Sequence, residues 1–296
     1  RSILHRHGIR RSFEQVYGKE SVIYQIERCD MSPSQRKAYT EFEEKGIVEL
    51  EESFLEAAPG GPHLMRCRQI MQAPELFEGL TKKGELTGKD ERLLVYFAEN
   101  KPLGIFSVFQ QEHQRIYELA KKFGRKPVII NGSVPAVKRA EADEGFRKGV
   151  YDTMIASPAT AGIGYNWEHC DHCIFTSLDY LDDTFLQARR RFSRGTRTTP
   201  LLVTVLEYED SIDQMIFGIL LRKSRDANKV DPTREVINLF RDKGAAKEEA
   251  DKAILNEVIR SRTKRREWLL ATQRYVASTR GATTCVSGGT FSTCAA

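Results

Sequence analysis

The sequence predicts an α/β fold: a parallel sheet with helices on both faces, plus a helical N-terminal strap and a helical C-terminal extension. Three observations predict it. From about residue 89 to 223, short apolar strands alternate with helical stretches of about 10–15 residues, which is the rhythm of βαβ units. Residues 1–88 lack that rhythm and read as a lead-in and strap. Beyond 223 the chain turns polar and then rich in Ala, Glu, Lys and Arg.

The elements follow in order. Residues 21–29 (SVIYQIERC) alternate well enough for a strand. Ser32-Pro33-Ser34-Gln35 supplies an N-cap, a proline at the first helical position and a glutamine three residues after the cap. The helix they open is expected to run to about Lys45, with Tyr39 and Phe42 on its apolar side. Residues 57–62 (AAPGGP) read as a loop, and 63–72 as a short helix that turns Leu64, Cys67 and Met71 to a core. A helix over 90–99 leads to a strand at 104–109, then a helix at 110–123, a strand at 128–131 and a helix at 136–147. A strand at 153–157, a glycine-bearing loop at 159–166 and a strand at 173–177 come next. The helix of Gln187, a strand at 201–206 and a helix at 211–223 complete the repeat. Residues 224–280 are expected to hold a polar linker (224–233) and a basic helix (245–275), and 281–296 a disordered tail.

Composition narrows the function classes. Of the 296 residues, 40% are hydrophobic and 29% charged, as in ordinary soluble globular proteins. No apolar run approaches the ~18 residues of a membrane span, so no membrane partner is expected. Six scattered cysteines lack the density of a disulfide framework. An intracellular location is therefore expected: cytoplasm or nucleoid in a microbe, nucleus in a eukaryote. The net charge of +5 permits nucleic acid as a partner without requiring it. The opening RSILHRHGIRR reads as the middle of a longer chain, so a fragment or processed piece is expected.

Ligands of such sheets bind beyond the carboxyl ends of the strands. Two stretches should share that edge. In the first, Gln187, Arg191 and Arg194 are spaced by four and three residues and are expected on one helical face, with Asp182 and Asp183 near the helix start. Guanidinium groups are costly to bury dry, and their planar fork of donors suits phosphate oxygens. In the second, Ser157, Thr160, Ala161, Gly162, Gly164 and Asn166 crowd small residues after a strand, where a ligand can approach the backbone. A tight turn is the plainer alternative for it. Together the two are expected to make half of a nucleotide and nucleic-acid site.

Other patterns fail on their chemistry. Residues 84–90 (GELTGKD) place three residues instead of four before the Gly-Lys pair, and Asp where a phosphate loop has Ser or Thr. Residues 169–173 (HCDHC) are too close along the chain to converge on one zinc ion, so no metal site is assigned. The run 260–266 (RSRTKRR) is either a nucleic-acid patch or a solvated helix face.

Over residues 21–223 the chain resembles the second RecA-like lobe of Snf2-like superfamily 2 helicases. Met31–Tyr39 resembles the family's entry segment, Leu64–Pro74 its LRQICNHP stretch, and Thr87-Gly88-Lys89 its SGK. Ile105–Phe109 is similar to motif IV, and Asn131-Gly132-Ser133 with Arg139 and Phe146 fits the strand and helix that follow. Ser157 with Ala161, Gly162, Gly164 and Asn166 resembles motif V; Gln187-Ala188, Arg191 and Arg194 resemble motif VI. Thr196-Arg197 stands where the family has Gly-Gln, and Tyr180-Leu-Asp-Asp where it has WNP. The resemblance implies a RecA-like motor lobe that acts with ATP and Mg2+ held by a first lobe, a partner lying outside this chain. Arg194 would be an arginine finger and Arg191 its neighbour, the order between the two being open. Gly162, Gly164, Asn166 and Gln187 would line the nucleotide, which this piece alone is not expected to bind tightly or hydrolyse. Ser107, Gln110, Ser133, Ser157, Thr160 and Ala161 would meet double-stranded DNA. A non-enzymatic DNA- or protein-binding module on the same fold is the alternative. The compact core points to a microbial or phage enzyme.

Overall fold

A computed structural model of the chain describes residues 15–16, 22–49, 54–56, 61–81, 85–99, 101–161, 164–193, 197, 199–231 and 237. The first part holds β1 (Val22–Cys29), α1 (Pro33–Lys45), β2 (Ile47–Glu49), β3 (Phe54–Glu56), α2 (Gly61–Gln72) and α3 (Gly88–Phe97). Next come β4 (Leu103–Phe106), α4 (Gln110–Lys122), β5 (Pro127–Ile130), α5 (Ala136–Arg147) and β6 (Thr153–Ala156). The last are α6 (Pro158–Ala161), β7 (His172–Phe175), α7 (Asp182–Arg189), β8 (Leu201–Tyr208) and α8 (Ile212–Val230).

Six strands form one parallel sheet in the order β1-β8-β7-β4-β6-β5. Every residue of β4 and β6 is buried, as in a strand covered on both faces. Phe106, Phe175, Phe192, Trp167 and Phe146 stack through the middle of the core, with ring centroids 4.8–6.4 Å apart along the chain of contacts. The fold is the expected α/β, RecA-like class. The basic helix at 245–275 and the tail at 281–296 lie outside the described residues.

Three expectations are corrected. The strand at 22–29 is no part of a separate strap: β1 pairs with β8 over its whole length, from Val22 opposite Leu201 to Cys29 opposite Tyr208. The helix expected to end at 223 continues to Val230 through the stretch read as linker. Ser224 is fully buried there, and its hydroxyl accepts the amide of Ile237 at 3.1 Å. The loop read at 159–166 begins with the short helix α6.

Local chemistry explains the starts. Ser32 caps α1 by accepting the amide of Gln35, while the Gln35 side chain turns inward to the carbonyls of Ile70 and Met71. A capping box between Thr87 and Asp90 opens α3. Gly88 is required beside it, because a Cβ there would lie 2.0 Å from the carbonyl oxygen of Asp30. The false phosphate loop is thus a helix start, and its lysine points into the protein. Lys89 Nζ donates to Asp213 Oδ2 at 2.6 Å, to the Thr176 carbonyl at 2.6 Å and to Gln72 at 3.1 Å.

Candidate functional site

The carboxyl ends of the central strands are stitched into one edge. Ser107 donates its amide to the carbonyl of Ala156, Thr176 to that of Phe106, and Ser157 to that of Ile130. Behind this edge stands a buried polar layer. His113 Nε2 lies 2.9 Å from the Ser107 carbonyl and Nδ1 lies 3.1 Å from Asn131 Nδ2. That pattern assigns the neutral ring with its proton on Nε2, and burial holds the His113 pKa below the ordinary value. Asn131 Oδ1 in turn accepts the amide and hydroxyl of Ser133. Glu112, fully buried, accepts the hydroxyls of Thr176 and Ser177 at 2.6 and 2.7 Å, and burial pushes its pKa up.

The sequence-predicted residues divide on this edge. Gln110, at the first position of α4, and Ser133 are exposed, while Ser157 and Thr160 are half-buried. Ser107 and Ala161 are fully buried, so neither side chain reaches the surface from which a strand would be met. Gly164 is exposed with φ near +82°, a conformation that favours glycine. Asn166 is exposed and its amide lies 3.3 Å from Glu168. Gly162 and Arg194 lie outside the described residues.

Gln187 and Arg191 do not share a helical face. α7 begins at Asp182, ends at Arg189, and carries Gln187 exposed in its last turn. Arg191 and Phe192 form a turn closed by three-residue hydrogen bonds to Ala188 and Arg189. The physical reason is Phe192. It is fully buried against Phe106 and Trp167, and this packing fixes the turn that carries it. The same packing joins the two candidate stretches: the Trp167 amide donates to the Arg191 carbonyl at 2.7 Å, and α6 packs against α7.

The 169–173 residues diverge. Cys170 Sγ donates to the carbonyls of Pro102 and His172, Cys173 is in the core, and His172 Nε2 meets Thr204 Oγ1 at 2.8 Å. Asp171 pairs with Arg197.

A family model described as helicase conserved C-terminal domain matches residues 88–196. Those bounds run from the Thr87-capped helix to the segment just past Arg194. Residues 88–196 thus match the conserved C-terminal domain of helicases, in line with the resemblance to the second lobe of Snf2-like helicases. The chain is 25% identical over 174 residues to Chromodomain-helicase-DNA-binding protein 1-like of Danio rerio. That match covers 55% of this chain and 17% of the relative, so the chain spans a small part of that protein. Among solved structures, the C-terminal part of the Fun30 ATPase domain superposes with a TM-score of 0.59 at 16% identity, covering 68% of this chain and 89% of that one. Neither likeness carries the expectation of a microbial or phage source. Among the described residues, no helix is long and apolar enough to cross a membrane.

The same edge is backed by buried charged residues outside the motifs picked out from the sequence. Arg68 is buried between the rings of Phe109 and Tyr180, 5.3 and 5.2 Å from their centroids, and donates to the Leu178 carbonyl at 2.7 Å. Arg115 holds Asp90, Glu75 and the Gln72 carbonyl. The available signal was charge at core-facing spacing: Arg68 falls one residue after Cys67 and three before Met71, both buried.

Proposed function

We propose that this lobe works as half of an ATP-dependent double-stranded DNA translocase. On this reading Arg194, with Arg191 as its neighbour in the motif, supplies an arginine finger to ATP held by a first lobe. The observation that supports this best is the Trp167–Arg191 hydrogen bond, which ties the small-residue loop after β6 to the arginine turn on a fully buried aromatic base.

The donor set suits phosphate. Gln187 and Asn166 offer exposed amides and Arg191 a half-buried guanidinium, next to the open backbone at Gly164. Among the described residues, no cluster of His, Cys, Asp or Glu is arranged for a metal ion, and Mg2+ on this reading belongs with the first lobe. Bound ATP supplies the phosphoryl group to be transferred. The guanidinium groups of this chain offset negative charge as it develops on the leaving phosphates, an effect large in a site shielded from water. Gln110, Ser133, Ser157 and Thr160 stand on the same edge, and hydroxyls and amides of this kind bind sugar-phosphate backbone without reading sequence.

The test is ATP hydrolysis with and without duplex DNA by the protein carrying both lobes, by this lobe alone, and by the Arg194→Ala and Arg191→Ala variants. A DNA-stimulated parent, a silent lobe and a loss of ~10³-fold or more for one arginine support the reading. Two unaffected variants would remove the finger. A parent that binds DNA without hydrolysing ATP would leave a non-enzymatic binding module.

A further inference from the structure

Between the end of β7 and the start of α7, charged side chains from four different helices converge on one short turn. Lys89 of α3 donates to the Thr176 carbonyl at 2.6 Å. Glu112 of α4 accepts the hydroxyls of Thr176 and Ser177, and the Ser177 hydroxyl also accepts the Val108 amide at 2.8 Å. Arg68 of α2 donates to the Leu178 carbonyl at 2.7 Å, and Lys223 of α8 to the Tyr180 carbonyl at 2.8 Å. Arg68, Lys89 and Glu112 are at most 4% exposed.

Burying a charge is weak as a source of stability, because desolvation costs about what pairing returns. Its return here is geometric, since each of these groups fixes an atom of the same turn. The turn has need of it. At the start of α7, the N-cap residue Leu181 has an apolar side chain and makes no side-chain capping bond. α7 is eight residues long and ends two residues after the exposed Gln187. A small rotation at residues 176–181 therefore becomes a displacement at Gln187 and Arg191.

We infer that Arg68 and Glu112 are positioning residues: by holding the 176–180 turn they set the aim of α7 and of the Gln187–Arg191 rim. Arg68 does this through the Leu178 carbonyl and through the Tyr180 ring stacked on its guanidinium. Glu112 does it by accepting the hydroxyls of two successive residues of the turn, Thr176 and Ser177. The inference rests on the motor reading given above.

The experiment uses the protein with both lobes and the variants Arg68→Lys, Arg68→Met, Glu112→Gln and Lys223→Met. Amide hydrogen exchange over 176–186 is measured beside kcat and KM for ATP. Faster exchange together with a kcat lower by on the order of 10- to 100-fold, KM holding within about twofold, and Arg68→Lys milder than Arg68→Met, supports the inference. Unchanged exchange overturns it, as does faster exchange with unchanged kcat. Should the Arg68 variants fail to fold, Glu112→Gln, which keeps the size of the side chain, decides by the same two readouts. A wild-type protein without ATPase overturns the motor reading itself, while exchange still reports whether the turn is held.

Discussion

The backbone amide of Trp167 donates to the carbonyl of Arg191 at 2.7 Å, while the Trp167 indole N–H donates to Asp143 Oδ1 at 2.8 Å. One residue thus holds α5 through its fully buried side chain and the arginine turn through its backbone. Trp167→Phe removes the indole donor and leaves a void among Phe106, Phe146 and Phe192. The expected loss is about 2–3 kcal/mol, from packing and from the lost indole hydrogen bond. Urea unfolding measures it, and a change below ~0.5 kcal/mol, the range of ordinary surface substitutions, sinks the idea.

Gly104 sits against the same cluster. A Cβ at this position would stand 2.3 Å from Phe192 Cζ and 2.6 Å from Cε1. Because Phe192 is enclosed, it cannot swing away cheaply, and Gly104→Ala is expected to cost roughly 1–3 kcal/mol by overpacking. Shortening the neighbour should return part of that cost, so Gly104→Ala with Phe192→Leu should be less destabilised than the sum of the two singles. Additive losses in a double-mutant cycle would show that the two positions are not coupled.

These contacts mark where the sequence could be read and where it could not. The short apolar strands and the Ser32 cap are local signals, and they sit within a few residues of where residue pattern placed them, while α3 starts at Gly88, ahead of the expected Asp90. The end of α7 is a tertiary decision. Nothing within 187–194 announces that Phe192 will leave the helix to reach Trp167. The membership of β1 in the sheet was hidden for the same reason, since its partner β8 lies more than 170 residues away in the chain. The arginine and small-residue stretches were legible as a pair at one sheet edge. The burial of Ser107 and Ala161 was not, because a small residue at a strand end reads alike whether it faces ligand or core.

Lys89 and Asp213 meet at 2.6 Å with side chains 3% and 9% exposed, the lysine lying 4.6 Å from the Tyr208 ring centroid. Gln72 Nε2 donates to both Asp213 oxygens as well. Lys89→Met strands the carboxylate in the interior and is expected to cost about 3–5 kcal/mol. Lys89→Met with Asp213→Leu removes both charges and should cost less than Lys89→Met alone. Denaturant unfolding of the three variants checks the order, and a double variant weaker than the single would refute it. The wild-type pair should also resist added salt, being shielded from it.

Acid should destabilise the lobe through its buried histidines. Burial drives the His172 pKa down to about 4, with the Lys101 charge pushing the same way, and its ring sits against Tyr96 and Thr204. The unfolded chain binds that proton at the ordinary value near 6.5. Between those two values the unfolded state holds more protons, so stability is complete above the higher value and falls as pH drops through the window. His113 and His169, also depressed by burial, add to the same slope. Glu112 and Glu75 act against it, because burial raises their folded pKa values and protonation then favours the folded state. His172→Gln keeps a polar partner for Thr204 and removes the titrating group. Its unfolding midpoint should fall less than that of the wild type between pH 7 and pH 5, and equal falls would show that His172 is not the group responsible.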